Sequence, residues 1–150
     1  MSSPLRELLR PSTASLGPLR TVARIVLGVF LVVAGTSHLT WSRSEFFAQV
    51  PPWFPFDSDM VVVVSGLVEI AIGSSLIALS KYRIPVGIVA AAFFIAIFPG
   101  NVSQYTERVD AFGLNSDTAR AVRLFFQPIL VAWALVSTGA SSALKRITRK

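Results

Sequence analysis

The sequence has no cysteine and a single histidine, His38. The chain therefore forms no disulfide and performs no thiol chemistry of its own, and it lacks the clustered His, Cys and carboxylate ligands of transition-metal sites. One histidine is too few for both axial ligands of a haem b. No phosphate-binding glycine pattern is present, and no serine triad assembles around His38. We predict no metal site and find no motif for a cofactor.

Charged residues are also scarce, at 15% of 150 residues, whereas a soluble domain carries about 25%. Hydrophobic residues make up 53% of the chain, and its mean hydropathy is +0.63. This balance predicts an integral membrane protein. The net charge of +6 would suit nucleic acid, but the basic residues gather at helix ends, as membrane topology requires. The expected partner is therefore the lipid bilayer and not nucleic acid.

Four apolar segments are long enough to be membrane helices, which need about 20 residues at about 1.5 Å rise each. They are predicted at residues 21–39, 60–79, 84–98 and 119–137. The third is brief because Pro99 and Gly100 are expected to end it. Arg24, one turn inside the first span, is expected to snorkel to the interface.

These spans predict an all-α, integral membrane four-helix bundle as one domain, residues 20–139. A basic N-terminal arm, residues 1–19, precedes it, and a basic tail, residues 140–150, follows it. Two interpretations of the arm stay open, a disordered tail and a short helix on the membrane surface.

The charges predict the orientation of the bundle. One side would carry ten of the fourteen basic residues: Arg6, Arg10, Arg20, Arg24, Lys81, Arg83, Lys145, Arg146, Arg149 and Lys150. The other side has four, with six acids: Arg43, Arg108, Arg120 and Arg123, with Glu45, Asp57, Asp59, Glu107, Asp110 and Asp117. The positive-inside rule then places both termini in the cytoplasm, and an even number of spans agrees. We expect an N-in, C-in topology.

The connection between the first two spans, residues 41–59, is rich in proline and aromatic residues. Prolines prevent a regular helix, and aromatic side chains suit the headgroup level of a membrane. We expect an outward-side, re-entrant or interfacial loop in which Pro51, Trp53 and Pro55 cover the mouth of the bundle. The alternative is that Trp53 only anchors the loop in the interface.

Glu69 is the only ionisable residue of the second span and is predicted to lie near its middle. A carboxylate at that depth costs at least a few kcal/mol, so it must face the bundle interior, find partners or take up a proton. Gly66 and Gly73 flank it and would let a neighbouring helix approach closely. A structural ion pair and a protonated carboxyl that joins helices are the alternatives to a functional group.

Polar residues of the other helices are predicted at the same outer level as Glu69. His38 ends the first span, Asn101 follows the third, and Arg123 and Gln127 lie one turn apart on the fourth. We expect these five residues to line a polar cavity that opens outward, with Arg123 reaching toward Glu69. Three of them have a structural alternative: an interfacial histidine at His38, a lipid-phosphate contact by Arg123, and a helix-end cap by Asn101.

Five short motifs occur in a distinctive order and spacing: GTSH at 35–38, VPPWFP at 50–55, SGLVE at 65–69, FPGN at 98–101 and RLFFQ at 123–127. In these motifs the chain resembles the DoxX-like family of small bacterial membrane proteins, from residue 21 to residue 137. It departs from the family pattern at Leu39, where an aromatic residue is usual, at Gly100, where alanine is usual, and at Phe125 and Phe126. The polar members of the pattern are all kept.

The resemblance implies a multi-pass protein of the bacterial cytoplasmic membrane. The family is named after a quinol-oxidase-associated subunit, and some relatives are linked to thiol or sulfur redox systems. The fold is also similar to that of a eukaryotic four-helix family that binds sterols and, in some members, isomerises them. Fold likeness alone is weak support for a function.

Three functions stay open. The first is a non-catalytic membrane subunit or a binder of a small hydrophobic ligand, a quinone or a lipid, with membrane redox proteins as partners. The second is an enzyme in which Glu69 acts as general acid and base with His38 or Arg123 on a lipid-like substrate. The third is a small proton-coupled carrier, which the absence of an inverted repeat disfavours. We favour the first.

Overall fold

The computed structural model describes residues 4–149, and all regular secondary structure in that range is helical. The helices are α1 (Pro4–Leu9), α2 (Pro18–Leu39), α3 (Arg43–Phe46), α4 (Ser58–Ala78), α5 (Arg83–Thr106), α6 (Asp117–Thr138) and α7 (Ala140–Thr148), with 3-10 segments at Phe47–Gln49 and Ser80–Tyr82. Residues 1–3 of the predicted arm and residue 150 of the predicted tail lie outside the described residues.

Four of the helices, α2, α4, α5 and α6, are long and apolar enough to cross a membrane, which confirms the predicted all-α fold with four candidate spans. Neighbouring helices run antiparallel: Arg24 near the start of α2 contacts Leu76 near the end of α4, and His38 contacts Val62 near the start of α4. We call the end with the start of α2 and with α7 the terminal end. The opposite end, with His38, is the loop end.

Local chemistry sets the helix boundaries at the loop end. The Asp57 side chain accepts a hydrogen bond from the backbone N–H of Met60 at 3.1 Å and so caps the start of α4. Ser116 caps α6 in the same way through the N–H of Ala119, at 3.2 Å. At the terminal end, Gly139 has φ +80° and separates α6 from α7, as glycine does at many helix C-termini.

Glycines bring α2 and α4 into direct backbone contact at two levels. A Cβ atom at Gly73 would lie 2.5 Å from the carbonyl oxygen of Gly28, and one at Gly66 would lie 2.9 Å from that of Gly35. The predicted close approach at Gly66 and Gly73 is therefore confirmed. We call this backbone contact of α2 with α4 the glycine seam. It sets the position of Glu69 along the bundle axis, because Glu69 lies between Gly66 and Gly73 on α4.

The apolar core lies in the half of the bundle near the terminal end. Its buried residues come from all four long helices: Leu27, Leu31, Ile72, Leu76, Ala90, Ala91, Phe94 and Ala134. In the same half, α5 and α6 approach at Gly87, where a Cβ atom would meet the Thr138 side chain. Tight packing therefore closes this half, and the open space lies toward the loop end.

The prediction that the third span ends at Phe98 is wrong, because α5 continues to Thr106. Pro99 lies inside the helix, and Gly100 is buried. A Cβ atom at Gly100 would clash with the carbonyl oxygen of Gln49, in the connection between α2 and α4. The glycine therefore gives the connection room to pack onto α5 and does not stop the helix.

The prediction that Arg24 snorkels outward is also wrong. Arg24 is only 4% exposed, and its Nη1 donates to the carbonyl oxygen of Leu76, with that of Ile77 at 3.5 Å. Carbonyl groups in the last turn of a helix lack intrahelical partners and carry partial negative charge. Arg24 therefore satisfies the end of α4 from within the bundle.

The N-terminal arm contains the short helix α1, so the helical interpretation applies to residues 4–9. The backbone N–H of Ser12 donates to the carbonyl oxygen of Lys81 at 2.7 Å. Arg83 Nη2 donates to the carbonyl oxygen of Ala14 at 2.6 Å. The arm is thereby attached to the turn between α4 and α5.

Candidate functional site

A cavity of about 1200 Å³ lies among α2, α4, α5 and α6 toward the loop end. Pockets for drug-sized ligands span about 300–1,000 Å³, so this cavity can hold a lipid-sized molecule. It is lined by all five residues of the predicted polar cavity, which come from four helices: His38, Glu69, Asn101, Arg123 and Gln127. Most of the remaining wall is apolar.

His38 and Glu69 form the polar centre of the cavity. His38 Nε2 lies 3.5 Å from Glu69 Oε2, and each side chain is 7% exposed. On the other side of the ring, Nδ1 lies 3.3 Å from the carbonyl oxygen of Val62 and 3.1 Å from Ser65 Oγ. Since a carbonyl oxygen only accepts hydrogen bonds, we infer that Nδ1 carries a hydrogen and that Nε2 faces the carboxyl group.

Arg123 lines the cavity but does not form the expected ion pair with Glu69. Within residues 4–149, the basic group within 4 Å of the Glu69 carboxyl is His38. The Arg123 guanidinium carbon lies instead 4.9 Å from the centre of the Phe112 ring, in a cation–π contact. The close partner of Glu69 is therefore on α2, and Arg123 on α6 attracts the carboxyl only from beyond 4 Å.

Asn101 and Gln127 join α5 to α6 beside the cavity. Asn101 Nδ2 donates to Gln127 Oε1 at 2.9 Å, and Gln127 Nε2 donates to the carbonyl oxygen of Phe94 at 2.6 Å. Asn101 lies inside α5, so it does not cap a helix end. Its Oδ1 is buried and has no hydrogen-bond partner among the described residues.

Two phenylalanines cover the polar centre from the loop end. The Phe46 ring centre lies 3.4 Å from that of His38 and 4.6 Å from that of Phe112. Phe112 has φ +57°, a left-handed conformation that is uncommon for a bulky residue. Its backbone N–H donates to the Glu45 carboxylate, which ties the α5–α6 connection to α3. Glu45 thereby holds Phe112 above Phe46 and His38.

The predicted cover at residues 51–55 is formed only in part. Pro51 is buried and lines the cavity. Trp53 also lines it but is 69% exposed, and Pro55 is exposed and outside the lining. The ring that contacts His38 is instead that of Phe46, which packs in turn against Phe112.

Sequence reasoning missed the residues that shape this end of the site. Arg120, predicted only as an outer cation, is 6% exposed. It donates to Asp110 at 2.6 Å, to Asp117 at 2.8 Å and to the Leu114 carbonyl oxygen at 2.9 Å. The i, i+3 spacing of Asp117 and Arg120 is the one available signal. These bonds organise the connection that carries Phe112.

Searches of curated proteins and of solved structures find no significant match to the chain. A family model described as a domain of unknown function, DUF8561, matches residues 27–138. The matched range contains all of α4, α5 and α6, most of α2 and every polar residue of the cavity. The chain therefore belongs to the DUF8561 family.

Proposed function

We propose that this DoxX-like protein binds a small hydrophobic ligand, a lipid or a quinone, in the cavity and has no catalytic activity of its own. The observation that carries the proposal is a large apolar cavity with a few inward polar groups at one level, chiefly His38, Glu69 and Arg123. Small-ligand sites combine apolar walls with a few placed polar groups that orient the ligand. The polar groups would hold the head of the ligand, and the apolar walls its body.

The exposed walls of the cavity support entry from the bilayer. Phe30, Val64 and Phe126 line the cavity and are also 47%, 52% and 56% exposed. They belong to helices long enough to span a membrane, so their outer surfaces would face lipid tails. A ligand dissolved in the lipid phase can therefore reach the cavity from the side.

We place the protein in the bacterial cytoplasmic membrane with both termini in the cytoplasm and residues 41–59 at the outer surface. The positive-inside distribution of basic residues supports this orientation. Association with a membrane redox partner rests on the DoxX resemblance alone. The cavity would then open toward the outer leaflet.

Single cysteines test the orientation, because the natural chain has none. Ser80→Cys and Ser142→Cys lie at exposed positions of the terminal end, and Asn115→Cys lies at an exposed position of the loop end. In intact cells, a membrane-impermeant thiol reagent is expected to label only Asn115→Cys, and cell lysis should expose all three. Labelling of Ser80→Cys and Ser142→Cys without lysis would reverse the orientation.

Ala96→Phe and Ala92→Phe test ligand binding as a matched pair. Both residues are exposed on α5, but Ala96 lines the cavity and Ala92 does not. Mass spectrometry of protein purified in mild detergent is expected to find one hydrophobic molecule retained by wild type and Ala92→Phe. Ala96→Phe should retain less, by about tenfold, because the larger side chain fills the site. Equal retention by both variants would contradict the proposal.

An enzyme acting on a lipid-like substrate is the second candidate function. The observation that favours it is the 3.5 Å approach of His38 Nε2 to Glu69 Oε2, since such a pair can act as general acid and base. The same mass spectrometry separates the two functions. Recovery of two isomeric forms of the ligand from wild type, and of one form from Glu69→Gln, would favour the enzyme.

A further inference from the structure

We propose that the ligand of this cavity is an amphiphile with an anionic head group, a long-chain carboxylate or alkyl phosphate, and that Arg123 binds the head. The inference rests on the proposed function, because it names the class of ligand for the same cavity. It depends on three observations, which concern Arg123, the His38–Glu69 pair and Gln49.

Arg123 is the least satisfied arginine of the site. Its guanidinium makes a cation–π contact with Phe112 but no hydrogen bond to any residue in the range 4–149. Arg120, three residues earlier on α6, makes hydrogen bonds to two carboxylates and one carbonyl oxygen. A guanidinium offers five N–H donors in a planar fork that matches the oxygens of a carboxylate or phosphate. Arg123 therefore presents this fork to the cavity without a protein acceptor.

The His38–Glu69 pair does not provide Arg123 with a contact partner. Glu69 Oε2 lies 3.5 Å from His38 Nε2 and makes no hydrogen bond within the described residues. No carboxylate oxygen in the range 4–149 lies within 4 Å of the Arg123 guanidinium, so Arg123 has no ion-pair partner at contact distance. Arg123 is half-buried, and withdrawing a charge from water is unfavourable unless the charge is paired. An anionic head group in the cavity would supply a close partner.

Gln49 adds a second donor that lacks a partner. Its Nε2 atom is buried, and it has no hydrogen-bond partner in the part of the chain that the structure describes. Gln49 lines the same cavity as Arg123. A carboxylate or phosphate has spare acceptor sites for such a donor.

Tryptophan fluorescence measures the binding directly, because Trp53 and Trp133 line the cavity. The probes are a brominated long-chain fatty acid, its methyl ester and the corresponding alkyl phosphate, added to the full-length protein in a neutral detergent. Bromine quenches nearby tryptophans when a probe enters the cavity. We expect the acid and the phosphate to reach half-maximal quenching at a concentration about tenfold lower than the ester, the factor that one charge-assisted contact provides.

Arg123→Gln should remove the preference: binding of the acid weakens about tenfold, and binding of the ester is unchanged. Arg108→Gln is the matched control, because Arg108 is an exposed arginine of the same end that does not line the cavity. It should leave all three titrations unchanged. The ratio of acid to phosphate binding in wild type identifies the head group.

Equal quenching by acid and ester in wild type would overturn the proposal while leaving a hydrophobic-ligand site in place. An undiminished preference in Arg123→Gln would overturn the assignment of Arg123. Quenching by none of the three probes would count against the proposed function itself. If Arg123→Gln does not fold, the comparison of acid with ester in wild type still shows whether the cavity prefers an anionic head group.

Discussion

Replacing Gly35 with alanine is expected to lower the free energy of unfolding by about 2 kcal/mol. The new Cβ would clash with the carbonyl oxygen of Gly66 and lie 2.9 Å from Ile70 Cγ1 and 3.0 Å from Glu69 Cβ. Overpacking of this kind costs about 1–3 kcal/mol, and more when the neighbour is backbone that cannot rotate away. The better helix propensity of alanine returns about 1 kcal/mol, which leaves the net loss.

Thermal melts in detergent measure this loss against Gly17→Ala. Gly17 precedes α2, and a Cβ there has no atom within 4 Å, so its effect should stay within about 0.5 kcal/mol. Gly66→Ala should behave like Gly35→Ala, because its Cβ would lie 2.7 Å from His38 Cβ. If Gly35→Ala has the same melting temperature as Gly17→Ala, the prediction is wrong, and α2 and α4 do not touch at this level.

The same seam explains why the glycines matter to the site and not only to stability. Gly35 and Gly66 lie within one turn of His38 and Glu69 respectively. Separating the two helices by even one methyl group would lengthen the distance between His38 Nε2 and Glu69 Oε2, which is already 3.5 Å. Backbone contact between α2 and α4 therefore positions the polar pair.

The four spans and the level of the cavity were predictable because both depend on position along a helix. A fixed rise per residue places His38, Glu69, Asn101 and Arg123 at comparable depths once the spans are assigned. The low charge content of the chain and the length of its apolar segments leave little choice of fold class. The depth of each residue along the bundle axis can thus be calculated from the sequence once the spans are assigned.

The partners of these residues were not predictable, because they depend on the rotation of each helix and on neighbours distant in sequence. Depth alone allowed Glu69 to meet either His38 or Arg123. In the structure, the His38 side chain faces Glu69, and the Arg123 guanidinium lies against the ring of Phe112. Phe112 comes from a connection whose conformation depends on Glu45, 67 residues away along the chain.

Predictions from local sequence patterns were also wrong at two places where contacts with another helix or connection decide the structure. Pro99 and Gly100 form a typical helix stop, yet α5 passes through them. The lack of a side chain at Gly100 instead gives the Gln49 carbonyl group room to pack onto α5. Arg24 lies where snorkelling is expected, yet the carbonyl groups at the end of α4 bind it inside. In both cases the deciding atoms belong to another element of the fold.

The double-mutant cycle of His38 and Glu69 is expected to show the strongest coupling in the cavity. Glu69→Gln and His38→Gln should each lower the free energy of unfolding by about 3 kcal/mol, since each leaves a buried polar partner without its counterpart. The double variant should lose about 2 kcal/mol less than the sum of the two, because the residues share one contact. Melts of the four proteins in detergent give the coupling energy.

The parallel cycle of Glu69→Gln with Arg123→Met is the control for this assignment. The Glu69 carboxyl has its close contact, 3.5 Å, with His38, while Arg123 lies against Phe112 at 4.9 Å. Coupling between Glu69 and Arg123 should therefore be below about 1 kcal/mol, within the range for residues that share a cavity but no direct bond. A larger coupling with Arg123 than with His38 would place the ion pair between α4 and α6. It would also give Arg123 a carboxylate partner within the protein and so remove the reason to expect an anionic ligand.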